Sequence, residues 1–377
     1  MKKLYVFYRF LPALVFLAFL AGMTALLLFG PHRDFSVNEK RVLAQAPSFD
    51  AEKILSGESQ KELESFASDQ VPFRDLFVGI DAYWTLATGR SGAEDIYFAK
   101  DGYLVNAPKA FDEERLKGNL LRFDAFAEQA GIPGDLLPVP TTGWLVEGKL
   151  PPGHGSYHDD QVFRTAKETL RHLRVLDPRQ ILRTAQRYEP VCYRTDHHYT
   201  AYGNYLLDRV YQAANGAGSL DRADYTVTSC GGFFGTTWSG SGYWLTPGDT
   251  VELWDSGAKV RVTLDDGDGE MVATESLFFP EHLEELDKYP VYLDGNHGLV
   301  TIENPDAPGG SVLLLRDSFA HCFATFLAAQ YKTVYLVDLR YYRSPVSDFL
   351  AEHPVDRLLV LYGVDDLLTD ANIAWLS

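Results

Sequence analysis

Apolar and polar positions divide the chain into three regimes. The first is one unbroken apolar run, Leu11–Phe29, nineteen residues without a charge behind Lys2, Lys3 and Arg9. At 1.5 Å of rise per residue, a helix of that length spans roughly 30 Å, the hydrocarbon thickness of a bilayer. A cleaved signal peptide has a shorter apolar core and ends in a small-x-small site. This run ends Thr24-Ala25-Leu26-Leu27-Leu28-Phe29-Gly30 instead, which favours an uncleaved anchor. The basic flank predicts a cytoplasmic tail over 1–10, an anchor over 11–30 and an external chain after Pro31. Residues 31–94 then read as a linker followed by helices. Leu63, Phe66 and Val71 mark one helix. Pro72 opens a second, whose apolar face is Phe73, Phe77, Ile80, Trp84 and Leu86.

The second regime alternates strands and helices and fills 95–377, apart from one interruption. A hairpin is expected at Ile96–Phe98 and Tyr103–Val105, turning at Asp101-Gly102. Helices are expected over Asp112–Gln129, Asp160–Arg174 and from a Thr200 cap to Ala214, with strands at Leu136–Val139 and Val191–Tyr193. After Gly309-Gly310 come strand Ser311–Leu315, helix Phe319–Ala329, strand Thr333–Val337, helix Val346–Ala351 and strand Leu358–Leu361. That order predicts an α/β fold, a parallel sheet flanked by helices. The third regime, about 219–308, is rich in Gly, Thr, Tyr and Trp with short alternating runs, and reads as a β-rich insertion.

Composition narrows the function. Lys+Arg 34 against Asp+Glu 52 gives a net charge of −18, which excludes a phosphate-tracking nucleic-acid binder. Hydrophobic residues at 46 % exclude a wholly disordered chain. Cys192, Cys230 and Cys322 form no CxxC pair, so a thiolate zinc site is not expected. One bridge with a free thiol and three buried thiols both remain open. Neither a P-loop nor GxGxxG is present, so no cofactor is expected.

Two constellations carry chemistry. Ser318 follows an apolar strand and precedes a helix, where open α/β sheets hold their ligands; the competing role is an ordinary helix cap. A serine nucleophile needs a neutral imidazole, and that imidazole needs a carboxylate to fix its tautomer. Asp196 and His198, two apart on extended chain, point to one side and supply both, leaving His197 to point away. A rival use of Asp196, His197 and His198 is a metal site completed by His297 or His321, but the spacing lacks an HExxH pattern and no metal is expected. Asn296, in Gly295-Asn296-His297, is a candidate oxyanion donor on a turn. Trp238, Tyr243 and Trp244 are candidate glycan contacts.

Together these motifs resemble the DHHW/DHHY family of bacterial surface proteins, which are similar to the SGNH-hydrolase-like domain of the alginate O-acetylation proteins AlgX and AlgJ. The resemblance rests on Thr195-Asp196-His197-His198-Tyr199-Thr200, with Asn38–Arg41, Asp69–Asp75, Phe234-Gly235-Thr236, Gly295–His297, Asp317–Ala320 and Asp338–Tyr342, in that family's order. It implies an SGNH-hydrolase-like domain over 95–377 and an acyl-transfer triad of Ser318, His198 and Asp196. It further implies oxyanion or substrate roles for Asn296, Arg316 and Tyr199. The chain departs from the pattern at Tyr199, where many relatives carry Trp, and at His321, where Asn is expected. The implied protein is a single-pass, extracytoplasmic O-acyltransferase or esterase acting on cell-surface polysaccharide, working with a membrane-bound acyl-donor protein. The alternative is a non-catalytic carbohydrate-binding or scaffold protein.

Overall fold

The structure is a computed structural model that describes residues 2–48, 50–93, 95–267 and 271–376, with side chains from residue 9 onward. Met1 and the side chains of Lys2 and Lys3, which carry part of the tail expectation, lie outside that set. The chain forms two compact units: residues 1–89 with 242–244, and residues 90–241 with 245–377.

The smaller unit begins with helix α1, Lys2–Phe29. Its stretch Arg9–Phe29 is long and apolar enough to cross a membrane. A short ribbon pairs Phe35–Ser36 with Arg41–Val42. Helices α2 (Ala51–Ser56), α3 (Glu58–Gln70) and α4 (Arg74–Ala87) follow. Gly79 of α4 lies so close to Trp244 that an added Cβ would sit 2.9 Å from the indole, and the indole Nε1 donates to the Asp75 carbonyl at 2.8 Å. Tyr243 meets Tyr83 edge-on with ring centroids 5.4 Å apart.

The larger unit is built on an eight-stranded sheet: β1 (Gly134–Val139), β2 (Leu173–Val175), β3 (Arg261–Asp265), β4 (Met271–Thr274), β5 (Leu299–Glu303), β6 (Gly309–Arg316), β7 (Tyr331–Val337) and β8 (Arg357–Gly363). Their order is β4-β3-β5-β7-β6-β8-β1-β2. The five strands β7-β6-β8-β1-β2 run parallel; β5, β3 and β4 extend them antiparallel. The insertion is therefore not a separate β element. Three of its strands complete the main sheet, and only Thr226–Phe233 and Asp249–Asp255 form a ribbon of their own.

Alternation along the parallel strands feeds both faces. Val312 and Leu314 go to one core with Leu137 and Leu336, whereas Leu313 and Leu315 go to the other with Leu136 and Val360. Helices α5 (Glu113–Ala130) and α6 (Asp159–Thr169) cover the second face with Leu116, Leu120, Phe123, Val162 and Phe163. Helices α7 (Ala201–Ala214), α8 (Thr236–Ser241) and α9 (Ala320–Leu327) also belong to this unit; α7 and α9 cover the first face through Leu207, Tyr211 and Phe323. The expected α/β class holds. Two local expectations do not. The helix expected through Arg174 ends at Thr169, because Leu173–Val175 is taken up as edge strand β2. Val191–Tyr193 is not a strand either, since only an isolated bridge, Cys192 to Tyr199, holds it. All three cysteines are free thiols, so the bridged alternative falls.

Candidate active site

The connections leaving β6 diverge: the chain runs to β7 on one side and returns to β8 on the other. A crevice opens at the carboxyl end of a strand where this happens. The chain there reads Arg316-Asp317-Ser318-Phe319 before α9. The cap of α9 is Phe319 and no side chain serves it, so the Ser318 hydroxyl is not consumed by capping. His198 Nε2 lies 2.8 Å from Ser318 Oγ, and His198 Nδ1 lies 2.5 Å from Asp196 Oδ1. Ser318 is half-buried, while His198 and Asp196 are almost wholly buried.

The Asp-His pair is set by a turn, not by strand alternation. Asp196 Oδ1 also accepts the His198 backbone N–H at 2.9 Å, an Asx-type turn in which one carboxylate fixes both main chain and ring. Its other oxygen accepts from the backbone N–H (2.7 Å) and hydroxyl (2.9 Å) of Thr236. Gly235 makes this approach possible, because a Cβ there would sit 2.1 Å from the Asp196 Cβ. Upstream, Asp249 anchors the loop by accepting from the backbone N–H groups of Arg194 (2.9 Å) and Thr195 (2.7 Å). Burial pushes the Asp196 carboxyl up, but the charges of His198 and His197 and its hydrogen bonds outweigh it and hold it well below the usual range. It is ionised at neutral pH.

Tyr289 lies flat on the His198 ring, centroids 3.9 Å apart and planes 11° from parallel. Its hydroxyl donates to the Ser318 carbonyl at 3.2 Å. Phe319 meets the same imidazole edge-on at 5.2 Å. His197 does not point away as expected. Its ring lies 3.9 Å from that of His198, and its Nδ1 is 2.7 Å from Thr236 Oγ1. With no extended strand, neighbouring side chains need not alternate.

Asp196, His197 and His198 offer ligand atoms within 4.8 Å of one another. The residues expected to complete a metal set are engaged elsewhere. His297 Nδ1 pairs with Asp266 at 2.8 Å, and His321 Nε2 accepts from the Arg316 guanidinium. Burial and then that guanidinium hold the His321 pKa far below the ordinary value, so His321 is neutral. Both ring nitrogens of His198 are also spoken for, which does not suit a ligand.

The remaining candidates lie at different depths. Arg316 is fully buried, 3.3 Å from Asp338, and donates to the His297 carbonyl at 3.1 Å, so it does not face the crevice. Tyr199 is buried with its hydroxyl on the Pro140 carbonyl at 2.8 Å. Asn296 is exposed on a turn where Leu293, Asp294 and Gly295 all have positive φ. Trp238 and Tyr243 are buried, and Trp244 is half-buried against α4; none of the three forms an open stacking platform. A cleft is walled by His197 and Phe319, the chain neighbours of His198 and Ser318. Its rim comes from the carboxyl ends of β1 and β8, with Thr141, Thr142, Gly143, Asp365 and Asp366.

An Asp-His-Ser hydrogen-bond chain at the carboxyl edge of a parallel-rich sheet defines the class: an α/β protein with a Ser-His-Asp constellation at the end of β6. The model of the family described as DHHW protein matches residues 179–337, so the resemblance to that family holds over the stretch that carries Asp196, His198 and Ser318. A DHHW family protein from Eubacterium siraeum shares the fold at TM-score 0.64 and 18 % identity, over 75 % of this chain and 95 % of that one. PatB1 of Bacillus cereus, solved with a sulfonyl adduct, does so at TM-score 0.63 and 17 % identity, over 75 % and 100 %. The O-acetyltransferase domain of Pseudomonas putida AlgJ scores only 0.46 at 14 % identity, over 74 % and 98 %, too low to define a shared fold. No curated protein matches the chain.

Proposed function

We propose that the chain is a membrane-anchored, extracytoplasmic SGNH-like O-acyltransferase or esterase acting on cell-surface polysaccharide. The observation that carries this reading is the pair of contacts Ser318 Oγ to His198 Nε2, 2.8 Å, and His198 Nδ1 to Asp196 Oδ1, 2.5 Å. Ser318 Oγ attacks the carbonyl carbon of an acyl ester while His198 Nε2 takes the hydroxyl proton. Asp196 keeps Nδ1 protonated and stabilises the imidazolium. The tetrahedral intermediate collapses, the donor alcohol leaves with the proton from Nε2, and the acyl group stays on Ser318. A sugar hydroxyl, or water, then gives its proton to Nε2 and attacks the acyl carbon. As the intermediate collapses, the bond to Ser318 Oγ breaks and Nε2 returns the proton to that oxygen. The Ser318 N–H has no acceptor among the described residues, which leaves it available to the developing oxyanion.

The cleft beside Phe319 is the proposed seat of the acceptor sugar. Its lining supplies hydroxyls from Thr141 and Thr142, carboxylates from Asp365 and Asp366, and the Tyr157 ring. The Arg9–Phe29 stretch is the proposed anchor, with the chain beyond it outside. Acetyl-CoA is cytoplasmic, so a membrane-bound acyl-donor protein is the proposed partner. PatB1, which has this fold, is described with a sulfonyl adduct, and the same kind of probe tests this chain. A sulfonyl fluoride should label the wild type at Ser318 and leave Ser318→Ala unlabelled. Equal labelling of both proteins would exclude Ser318 as the nucleophile.

A further inference from the structure

Helix α4 turns its large apolar side chains outward. Phe73 at its cap, Leu76, Phe77, Ile80 and Trp84 are 41–66 % exposed. At 3.6 residues per turn these five positions fall within an arc of about 100°. The opposite side is the packed one: Gly79 and Ala82 are buried, against Trp244 and Gly242. A helix with its small residues inward and its aromatics outward inverts the usual rule for a soluble surface.

The place of this face along the unit indicates what covers it. Arg33 comes four residues after Phe29, the last residue of α1. Its backbone N–H donates to Gln70 Oε1 at 3.0 Å, and Gln70 Nε2 donates back to the Arg33 carbonyl at 2.8 Å. The Arg33 guanidinium pairs with Asp75, in the first turn of α4, at 3.0 Å. The start of α4 is thus tied to the exit of α1. One cleft is lined by Leu26, from the last turn of α1, together with Pro31, Phe73 and Leu76.

We propose that α4 is an interfacial helix: the Phe73–Trp84 face lies in the headgroup–acyl boundary of the outer leaflet of the bilayer that α1 crosses. Phe, Leu, Ile and Trp on one face of a helix that lies flat are what that boundary accepts. The proposal rests on α1 being an anchor.

The test uses the full chain with Cys230→Ser, reconstituted in phosphatidylcholine–phosphatidylglycerol vesicles. Phe77→Cys, Ile80→Cys, Trp84→Cys and, within α1, Leu17→Cys each carry a nitroxide. Collision with oxygen, which concentrates in lipid, is compared with collision with a water-soluble nickel chelate. We expect labels at 77, 80 and 84 to gain oxygen collisions and lose nickel collisions relative to a free nitroxide in water. If they collide with nickel as freely as that nitroxide while the Leu17 label is lipid-shielded, the interfacial proposal fails and the anchor stands. If they are shielded from both reagents, a protein surface covers the face and the lipid proposal also fails. A Leu17 label open to nickel would overturn the anchor, and the proposal with it.

Discussion

The two units dispose of apolar surface in opposite ways. In the larger, Val312, Leu313, Leu314 and Leu315 are completely covered, as are Leu358, Leu359 and Val360 in the neighbouring strand. In the smaller, the buried apolar residues among those described are Leu43, Phe66, Ala82 and Tyr243. Polar clamps hold that unit instead. Arg41 grips Asp69 through two bonds of 2.8 and 2.5 Å, and Arg74 grips Glu39 through two of 2.9 and 3.1 Å. The difference teaches a division of labour. A site whose contacts must be right to a few tenths of an ångström sits on elements locked by their own packing. The smaller unit leaves one helix face uncovered.

The largest expected effects belong to the site in the larger unit. Ser318→Ala and His198→Ala should each lower ester turnover about 10³-fold or more with little change in melting, measured on a chromogenic ester. Gly235→Ala should cost about 10²-fold, because its methyl displaces Asp196 from His198; unchanged turnover would show that the Asp196 position is not critical.

Packing separates the units next. Leu314→Ala should destabilise the larger unit by about 2–5 kcal/mol. Ile80→Ser, on the open face of α4, should change the stability of detergent-purified protein by under about 0.5 kcal/mol. Denaturant unfolding of the two variants measures the contrast, and equal losses would erase it.

Acid should then pull the units in opposite directions. Asp208 is buried in the larger unit with a single bond, from Gln212 at 2.9 Å, and burial lifts it to about 7. Its folded-state pKa is raised, so the fold holds its proton more tightly than the unfolded chain. The resulting stability is present below the unfolded value near 4 and drains away as pH rises towards 7. Asp208→Asn should therefore stabilise at pH 8 by on the order of 2 kcal/mol and make little difference near pH 4. Asp69, in the smaller unit, has the opposite sign. Its bonds to Arg41, offset in part by burial, lower it to about 2. That contribution is present above pH 4 and is lost as pH falls towards 2. Arg41→Met should remove this acid step at a cost of under about 1 kcal/mol at neutral pH.

Local rules made much of this legible in advance. Asp112 accepts from the Arg115 N–H and Gly131 closes the same helix at φ 65°, while Thr200 accepts from the Gly203 N–H, as short-range capping predicts. Four of the five parallel strands, β1, β6, β7 and β8, announced themselves as continuous apolar runs, whereas edge strand β2 read as the end of a helix. Ser318, His198 and Asp196 were legible as residue types flanking predicted elements, and the brevity of the Asp-x-His spacing made them stand out. Their mutual support was not. Tyr289 reaches His198 across 91 positions and Thr236 reaches Asp196 across 40, with no periodicity to mark either. Phe234-Gly235-Thr236 was visible only as a motif, and the reason for its glycine is a steric fact of the folded loop. Aromatics in a Gly/Ser-rich stretch suggested an open sugar platform at Trp238 to Trp244, yet sequence does not distinguish aromatics that stack on a ligand from those that fill an interior. Arg316 likewise turned inward because Asp338, 22 residues on, supplies its counter-charge.

The central claim is that Ser318 carries the acyl group. Its most direct test is intact-protein and peptide mass spectrometry of the full chain, quenched in acid soon after mixing with an activated acetyl ester. One acetyl group on Ser318, absent from Ser318→Ala and strongly diminished in His198→Ala, is the predicted result. Acetyl found on another residue, or equally on the wild type and Ser318→Ala, would contradict it.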